Sequence, residues 1–138
     1  MRAKSFMLVV GIGLFCSAGL FAHHAFSAEF DAARPIKLRG TVTKMDWVNP
    51  HAWIYIDVKG ADGKVTPWMI EAAAPNAMIR RGFNRESLPA GSEIIIEGYQ
   101  AKDGSNTGSG RNLTFADGRT LFMGSTGIGA PDDAPAAK

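Results

Sequence analysis

Cysteine is nearly absent from this chain, since Cys16 is the single cysteine among 138 residues. Cys16 lies in an N-terminal segment that we expect to be removed, and residues 13–15 match poorly the sequence that precedes a lipidated cysteine. The mature protein is therefore predicted to lack disulfides, so its stability must come from a hydrophobic core or a ligand. No serine lies in a nucleophile elbow either, which argues against the familiar hydrolases and favours a protein that is not an enzyme.

Apolar runs long enough to cross a membrane are missing from the sequence. The apolar run Phe6–Phe15 is too short for a comfortable span. It follows Arg2 and Lys4 and precedes small residues, which is the pattern of a secretory signal peptide. Cleavage is expected after Ala22, with Ala18 as the competing site. We therefore expect residues 1–22 to be a signal peptide and the mature protein to be periplasmic.

The mature chain is predicted to carry almost no net charge. The whole sequence has 15 Lys and Arg against 13 Asp and Glu, but Arg2 and Lys4 belong to the expected signal peptide, which leaves 13 of each. A chain near zero net charge has no electrostatic footprint for nucleic acid. The expected partner is an unidentified small molecule or a periplasmic protein. The remaining 116 residues suffice for one domain.

Histidine is scarce, and two of the three histidines adjoin the expected cleavage site. If His23 becomes the N-terminus, its free amine and ring can chelate one metal ion, with His24 and His51 as further ligands. Imidazole suits copper, zinc and nickel, and copper is the cofactor this hypothesis favours. An oxidase or oxygenase would require this site to exist first. One alternative is that His23 and His24 lie on a frayed terminus and bind nothing. Another is that Phe26 and Phe30 simply attach the N-terminal arm to the barrel.

Sustained helical periodicity is absent, and period-two alternation dominates the chain after residue 36. We predict an all-β fold with one short helical insert, namely a small OB-like β-barrel of five or six strands. The expected divisions are a signal peptide at 1–22, an N-terminal arm at 23–36, the barrel at 37–124 and a disordered tail at 125–138. The predicted strands begin near Leu38, His51, Val65, Glu93 and Arg111, and helical turns are expected at 75–82.

The segment Trp47–Trp53 carries the most distinctive chemistry. An Asn-Pro turn lies between its two tryptophans, and the strand that follows alternates between an apolar face and a face bearing His51, Trp53 and Tyr55. Aromatic side chains of this kind bind ligands well, and an OB barrel usually binds on its second and third strands. The alternative is that the tryptophans only seal the barrel end. The predicted ligand-binding residues are Trp47, Asn49, His51, Trp53 and Tyr55.

Several of these motifs together resemble a family of small exported bacterial proteins of unknown function. The resemblance rests on His-His-x-Phe at 23–26, on Trp-x-Asn-Pro-His-x-Trp at 47–53, on Arg-Arg-Gly at 80–82 and on Ile-Glu-Gly-Tyr at 96–99. It extends from residue 23 to about residue 124. The resemblance implies a periplasmic OB-like β-barrel and brings no established activity with it.

Overall fold

The computed structural model describes residues 26–125 and 129–131. Within these residues the chain forms six strands and two short helices, and none of the described helices is long and apolar enough to cross a membrane. The prediction of an all-β fold with a helical insert between the third and fourth strands is confirmed. The elements are α1 (Phe26–Glu29), β1 (Phe30–Asp46), β2 (Trp53–Lys59), β3 (Val65–Glu71), α2 (Pro75–Arg80), β4 (Glu93–Ala101), β5 (Thr107–Phe115) and β6 (Thr120–Phe122).

The strands form one sheet that closes on itself. Their order is β3-β2-β1-β4-β5-β6, and an additional parallel pairing joins β3 to β5. In this pairing Met69 lies opposite Thr107 and Glu71 lies opposite Ser109. The ring of five strands, with a helix between β3 and β4, has the arrangement of an OB-type barrel. The sixth strand, β6, extends the sheet at the outer edge of β5.

The longest strand, β1, pairs with two neighbouring strands, one along each half of its length. Its first half pairs with β4 from Phe30 onward, and its second half pairs with β2 up to Asp46. A register shift between Val42 and Lys44 marks a bulge in the second half, as strongly bent barrel strands require. The strand begins at Phe30, before the predicted start near Leu38 and within the expected N-terminal arm. Its first residues do not alternate in polarity, but they are extended because their backbone pairs with β4.

The barrel interior is built from β-branched and aliphatic side chains. The face of β2 that alternation assigned to the core is buried, since Ala52 and Ile54 are 0% exposed and Ile56 is 1% exposed. Burial of one such isoleucine contributes roughly 1.5–3 kcal/mol to folding. Met78 of α2 and the nearby Phe83 belong to the same cluster. The remaining core positions include Val42, Ile70, Ile94, Ile96, Leu113 and Met123.

A second apolar cluster attaches the N-terminal arm. Phe26 lies edge-on to Tyr99 with ring centroids 5.5 Å apart, and its centroid is 5.7 Å from that of Phe30. Ala101 completes the cluster and Ala130 packs against it. Phe26 and Phe30 therefore pack the start of the arm against the barrel. Tyr99 is only 4% exposed because the arm packs against it through Phe26.

Two arginines hold the described part of the C-terminal segment, which we define as residues 123–125 and 129–131. Arg81 donates a hydrogen bond to Gly124 O at 2.6 Å, and Arg111 donates to Ser125 O at 2.6 Å and to Pro131 O. The guanidinium carbon of each arginine lies 4.7 Å from the centroid of the Phe122 ring. The signal peptide expected at 1–22, His23 and His24, and most of the tail expected at 125–138 lie outside the described residues.

Candidate functional site

One end of the barrel gathers two loops and the N-terminal arm. The loop between β1 and β2 (residues 47–52) leads into Trp53, and the loop between β4 and β5 (residues 102–106) leads into Thr107. Trp53 lies opposite Glu71 in the β2–β3 pairing, and Glu71 lies opposite Ser109 in the β3–β5 pairing. The start of β1 reaches the same end because Phe30 lies opposite Ala101. Closure of the barrel therefore brings three separate parts of the chain together.

An open groove of about 350 Å³ lies among these parts, and we call it the Trp53 groove. Trp53 projects from the outer face of β2 and is half-buried. Paired strands lie on both sides of it, which fixes its backbone. The groove is also lined by Glu29 and Phe30 of the arm, by Lys102, Asp103 and Ser105 of the β4–β5 loop, and by Thr107.

Internal hydrogen bonds fix the shape of the β4–β5 loop beside the groove. Ser105 N donates to Asp103 Oδ1 at 2.9 Å, and Gln100 Nε2 donates to the carbonyl oxygen of Ser105 at 2.9 Å. The backbone hydrogen bond from Ser105, together with its side chain, lowers the pKa of Asp103 below its usual value, so this carboxyl group is ionised at neutral pH. Lys102 donates from its backbone to Glu29 O and from Nζ to Ser27 O, which ties the loop to the arm.

His51 lies just before β2 and is oriented by β3. Its Nδ1 is 3.1 Å from Ala72 O and 3.5 Å from Glu71 Oε1, and the two side chains are 22% and 13% exposed. Because a carbonyl oxygen can only accept, this contact assigns the proton to Nδ1 and the lone pair of the neutral ring to Nε2. Metal-binding histidines commonly have one ring nitrogen oriented by a carbonyl or carboxylate in this way.

The other predicted ligand-binding residues have separate surroundings. Trp47 is partly buried and packs against the barrel core, whereas Asn49 is exposed in the loop. Tyr55 shares the outer face of β2 with Trp53 but belongs to a polar cluster with Lys44 and Asp46. Burial raises the pKa of Tyr55, and its hydrogen bond to Asp46 acts in the same direction. Of the five predicted residues, Trp53 alone is among those that line the groove.

Several residues of this end were not identified from the sequence. Residues 102–110 are rich in glycine and small polar residues, a composition typical of a flexible hairpin loop, yet Lys102, Asp103 and Ser105 line the groove. Glu71 of β3 is the carboxylate beside His51. The predicted OB-type topology could have identified the loop residues, because such barrels bind ligands with the loops after their first and fourth strands.

The described part of the chain contains no group of three or more His, Cys, Asp or Glu side chains placed to hold a metal ion. His51 and Glu71 supply two neighbouring candidates. His23 and His24 lie outside the described residues, so the predicted set of His23, His24 and His51 stays a prediction.

The fold and this end of the barrel define the chain as a small OB-type β-barrel protein with an aromatic and polar surface groove. A family model described as a family of unknown function, DUF6152, matches residues 13–111, which is more than half of the chain. The protein therefore belongs to this family. The matched region includes β1 to β4, both loops of the candidate site and the first part of β5. Neither the curated proteins nor the solved structures provide a match.

Proposed function

We propose that this protein is an exported, periplasmic binding or accessory module that holds a small molecule in the Trp53 groove. The observation that carries the proposal is the position of Trp53, half-exposed on a strand that is paired on both sides and beside the β4–β5 loop. A rigid aromatic surface binds at low entropic cost. OB barrels bind ligands in this region, so the analogy of fold supports the proposal. The signal-like composition of residues 1–22 supports export.

Nuclear magnetic resonance of the mature protein tests this proposal directly. The probe is the protein-free small-molecule fraction of periplasm from the organism that makes the protein. We expect the Trp53 indole signal and the backbone amides of Ser105 and Thr107 to shift. Trp68 serves as the internal control because it packs against the barrel core, and its signal should stay in place. An extract that shifts no signal, or shifts only signals far from the groove, would overturn the proposal.

A second candidate function, copper binding, is favoured by the environment of His51. The ring is oriented through Nδ1 by Ala72 O at 3.1 Å and Glu71 Oε1 at 3.5 Å, as metal-binding histidines commonly are. Phe26, the first described residue, is attached to Tyr99. Tyr99 lies opposite Ser109, and Ser109 lies opposite Glu71 beside His51. The N-terminal arm therefore joins the barrel two strands away from Glu71, and we propose His23, three residues before Phe26, as a second ligand.

Copper titration of the metal-free protein tests this second candidate. With His23 at the N-terminus, we expect one tightly bound Cu(II), because an amine and imidazoles are strong ligands for it. His51→Ala should weaken binding at least about tenfold, and His23→Ala should weaken it as well. Glu97→Gln, a strand carboxylate paired with Lys37, is the control and should bind normally. Equal affinities in all four proteins would exclude the copper site.

A further inference from the structure

The Trp53 groove combines one large aromatic surface with polar groups of both charges. The charged residues among the described lining are Glu29 and Asp103, which are acidic, and Lys102, which is basic. Ser105 and Thr107 add hydroxyl groups that can donate or accept hydrogen bonds. The charged side chains of the lining therefore carry a net charge of one negative unit. This composition restricts the chemistry of a ligand more closely than the fold does.

Polyanions fit this lining poorly. A nucleic acid backbone or a lipid phosphate needs several Lys or Arg side chains to neutralise it. Among the described residues that line the groove, Lys102 is the one cation. Its Nζ donates to Ser27 O at 2.5 Å. The carboxylate of Asp103 is stabilised mainly by the Ser105 amide and less by Arg34, so it stays charged and disfavours an anion relative to a neutral ligand. Of the two ligand classes that OB barrels bind here, oligonucleotides and oligosaccharides, the charge disfavours the first.

Neutral polyols fit the same lining well. A sugar ring has a C–H face that packs on an indole and hydroxyl groups around its edge that donate to carboxylates. The volume of the groove is at the lower end of the roughly 300–1,000 Å³ that small-molecule sites occupy. Its open side suits one unit of a longer chain. We infer that the groove binds a neutral saccharide, with one sugar ring stacked on Trp53, an inference that rests on the binding function proposed above.

Calorimetric titration with three neutral hexasaccharides tests this inference. The probes are the β-1,4-linked glucose, β-1,4-linked N-acetylglucosamine and α-1,4-linked glucose oligomers, and a ten-residue thymidine oligonucleotide is the polyanion comparison. We expect at least one hexasaccharide to bind and the oligonucleotide not to bind. Trp53→Ala should weaken saccharide binding at least about tenfold, whereas Trp53→Phe should retain most of it. Asp103→Asn should weaken binding, and Trp68→Phe, outside the groove, should leave it unchanged.

The outcomes separate this inference from the proposed function. If none of the hexasaccharides binds but the periplasmic extract still shifts the Trp53 signals, the saccharide inference is wrong and the binding function stands. If neither probe affects Trp53, both are wrong. Binding of the oligonucleotide, or saccharide binding that Trp53→Ala leaves unchanged in a folded variant, would also overturn the inference. Thermal unfolding of each variant shows whether it is folded.

Discussion

Arg111 shows at the scale of one residue how a full charge is placed inside this small protein. Its side chain is 0% exposed, and two of its nitrogens donate to backbone carbonyls of the C-terminal segment. The flat guanidinium also lies over the Phe122 ring. Arginine alone combines several fixed donors with a flat face that stacks on an aromatic ring. The position therefore requires arginine and not merely a positive charge.

Replacement of Arg111 by lysine should therefore destabilise the protein. Lysine keeps the charge but cannot donate in the same fixed directions while stacking on Phe122, so we expect a loss of about 2 kcal/mol or more. Urea unfolding followed by circular dichroism measures it. Arg119→Lys is the matched control, because Arg119 also stacks on a phenylalanine at 4.7 Å but is 64% exposed. Its cost should stay within about 0.5 kcal/mol. Similar losses in both variants would contradict this account of Arg111.

Two aspartates in turns make the stability of the protein depend on pH in the acid range. Asp103 and Asp117 each accept a hydrogen bond at 2.9 Å from the backbone N–H two residues later. These bonds lower the pKa of both carboxyl groups below the ordinary value of 3.8. Because the unfolded chain then binds protons first as the pH falls, the stabilisation is present above about pH 4 and is lost as the pH falls through the folded-state pKa. Carboxyl ¹³C titration should give midpoints below 3.8 for both residues, and a midpoint at or above that value would refute the prediction.

The N-terminal arm and the C-terminal segment support each other at the scale of elements. Helix α1 has four residues, too few to be stable without tertiary contacts. Ala130 packs against the cluster of Phe26 and Tyr99, and a Cβ atom placed on Gly129 would lie 3.2 Å from Ser27 Oγ. Pro131 O accepts a hydrogen bond from Arg111. The C-terminal segment therefore covers α1, whose last residue lines the Trp53 groove.

Truncation of the C-terminal segment should loosen the arm. A chain that ends at residue 128 loses the contacts with α1, whereas a chain that ends at residue 131 keeps them. We expect the shorter chain to exchange the Lys102 amide hydrogen, which is bonded to Glu29 O, at least about tenfold faster than the longer one. The Ala72 amide, bonded to Ala52 O in the barrel, is the control and should exchange alike in both. Equal protection of Lys102 would show that the arm does not depend on this segment.

Closure of the barrel at the scale of the whole molecule depends on close approach between β4 and β5. The register shifts between Glu97 and Gly98. A Cβ atom on Gly98 would overlap the carbonyl oxygen of Ser109 and lie 3.0 Å from the Gly110 α-carbon. Backbone, unlike a flexible side chain, cannot move aside cheaply. Glycine at position 98 therefore allows β5 to reach β3 and complete the ring.

Gly98→Ala should destabilise the whole barrel by about 3 kcal/mol or more, since overpacking against backbone has no easy relief. Urea unfolding should show a lower midpoint while the protein still unfolds in a single transition. Gly63→Asn is the control, because Gly63 has a positive φ of 80° with nothing within 4 Å of an added Cβ. Asparagine tolerates this conformation, so the expected change is within about 0.5 kcal/mol. A Gly98→Ala variant as stable as this control would refute the steric argument.

The sequence by itself determined the strands and the side of β2 that faces the core. Ile54 and Ile56 are buried as their alternation predicts, because a strand places successive side chains on opposite faces whatever its partners are. The helical insert was predicted at 75–82, and Gly82, with its positive φ, lies just beyond the end of α2 as expected. Alternation did not predict the early start of β1 or the burial of Tyr99, because neighbouring elements impose both.

Only the tertiary structure decided which side chains share the candidate site. Trp53 was identifiable from its motif, but its proximity to Glu29 and Asp103 requires the parallel pairing of β3 with β5 and the attachment of the arm. The partnership of His51 with Glu71 likewise arises from the register of β2 and β3. Such contacts join residues far apart in the sequence, and no local pattern records them. Local periodicity therefore determined the elements, and closure of the barrel determined the site.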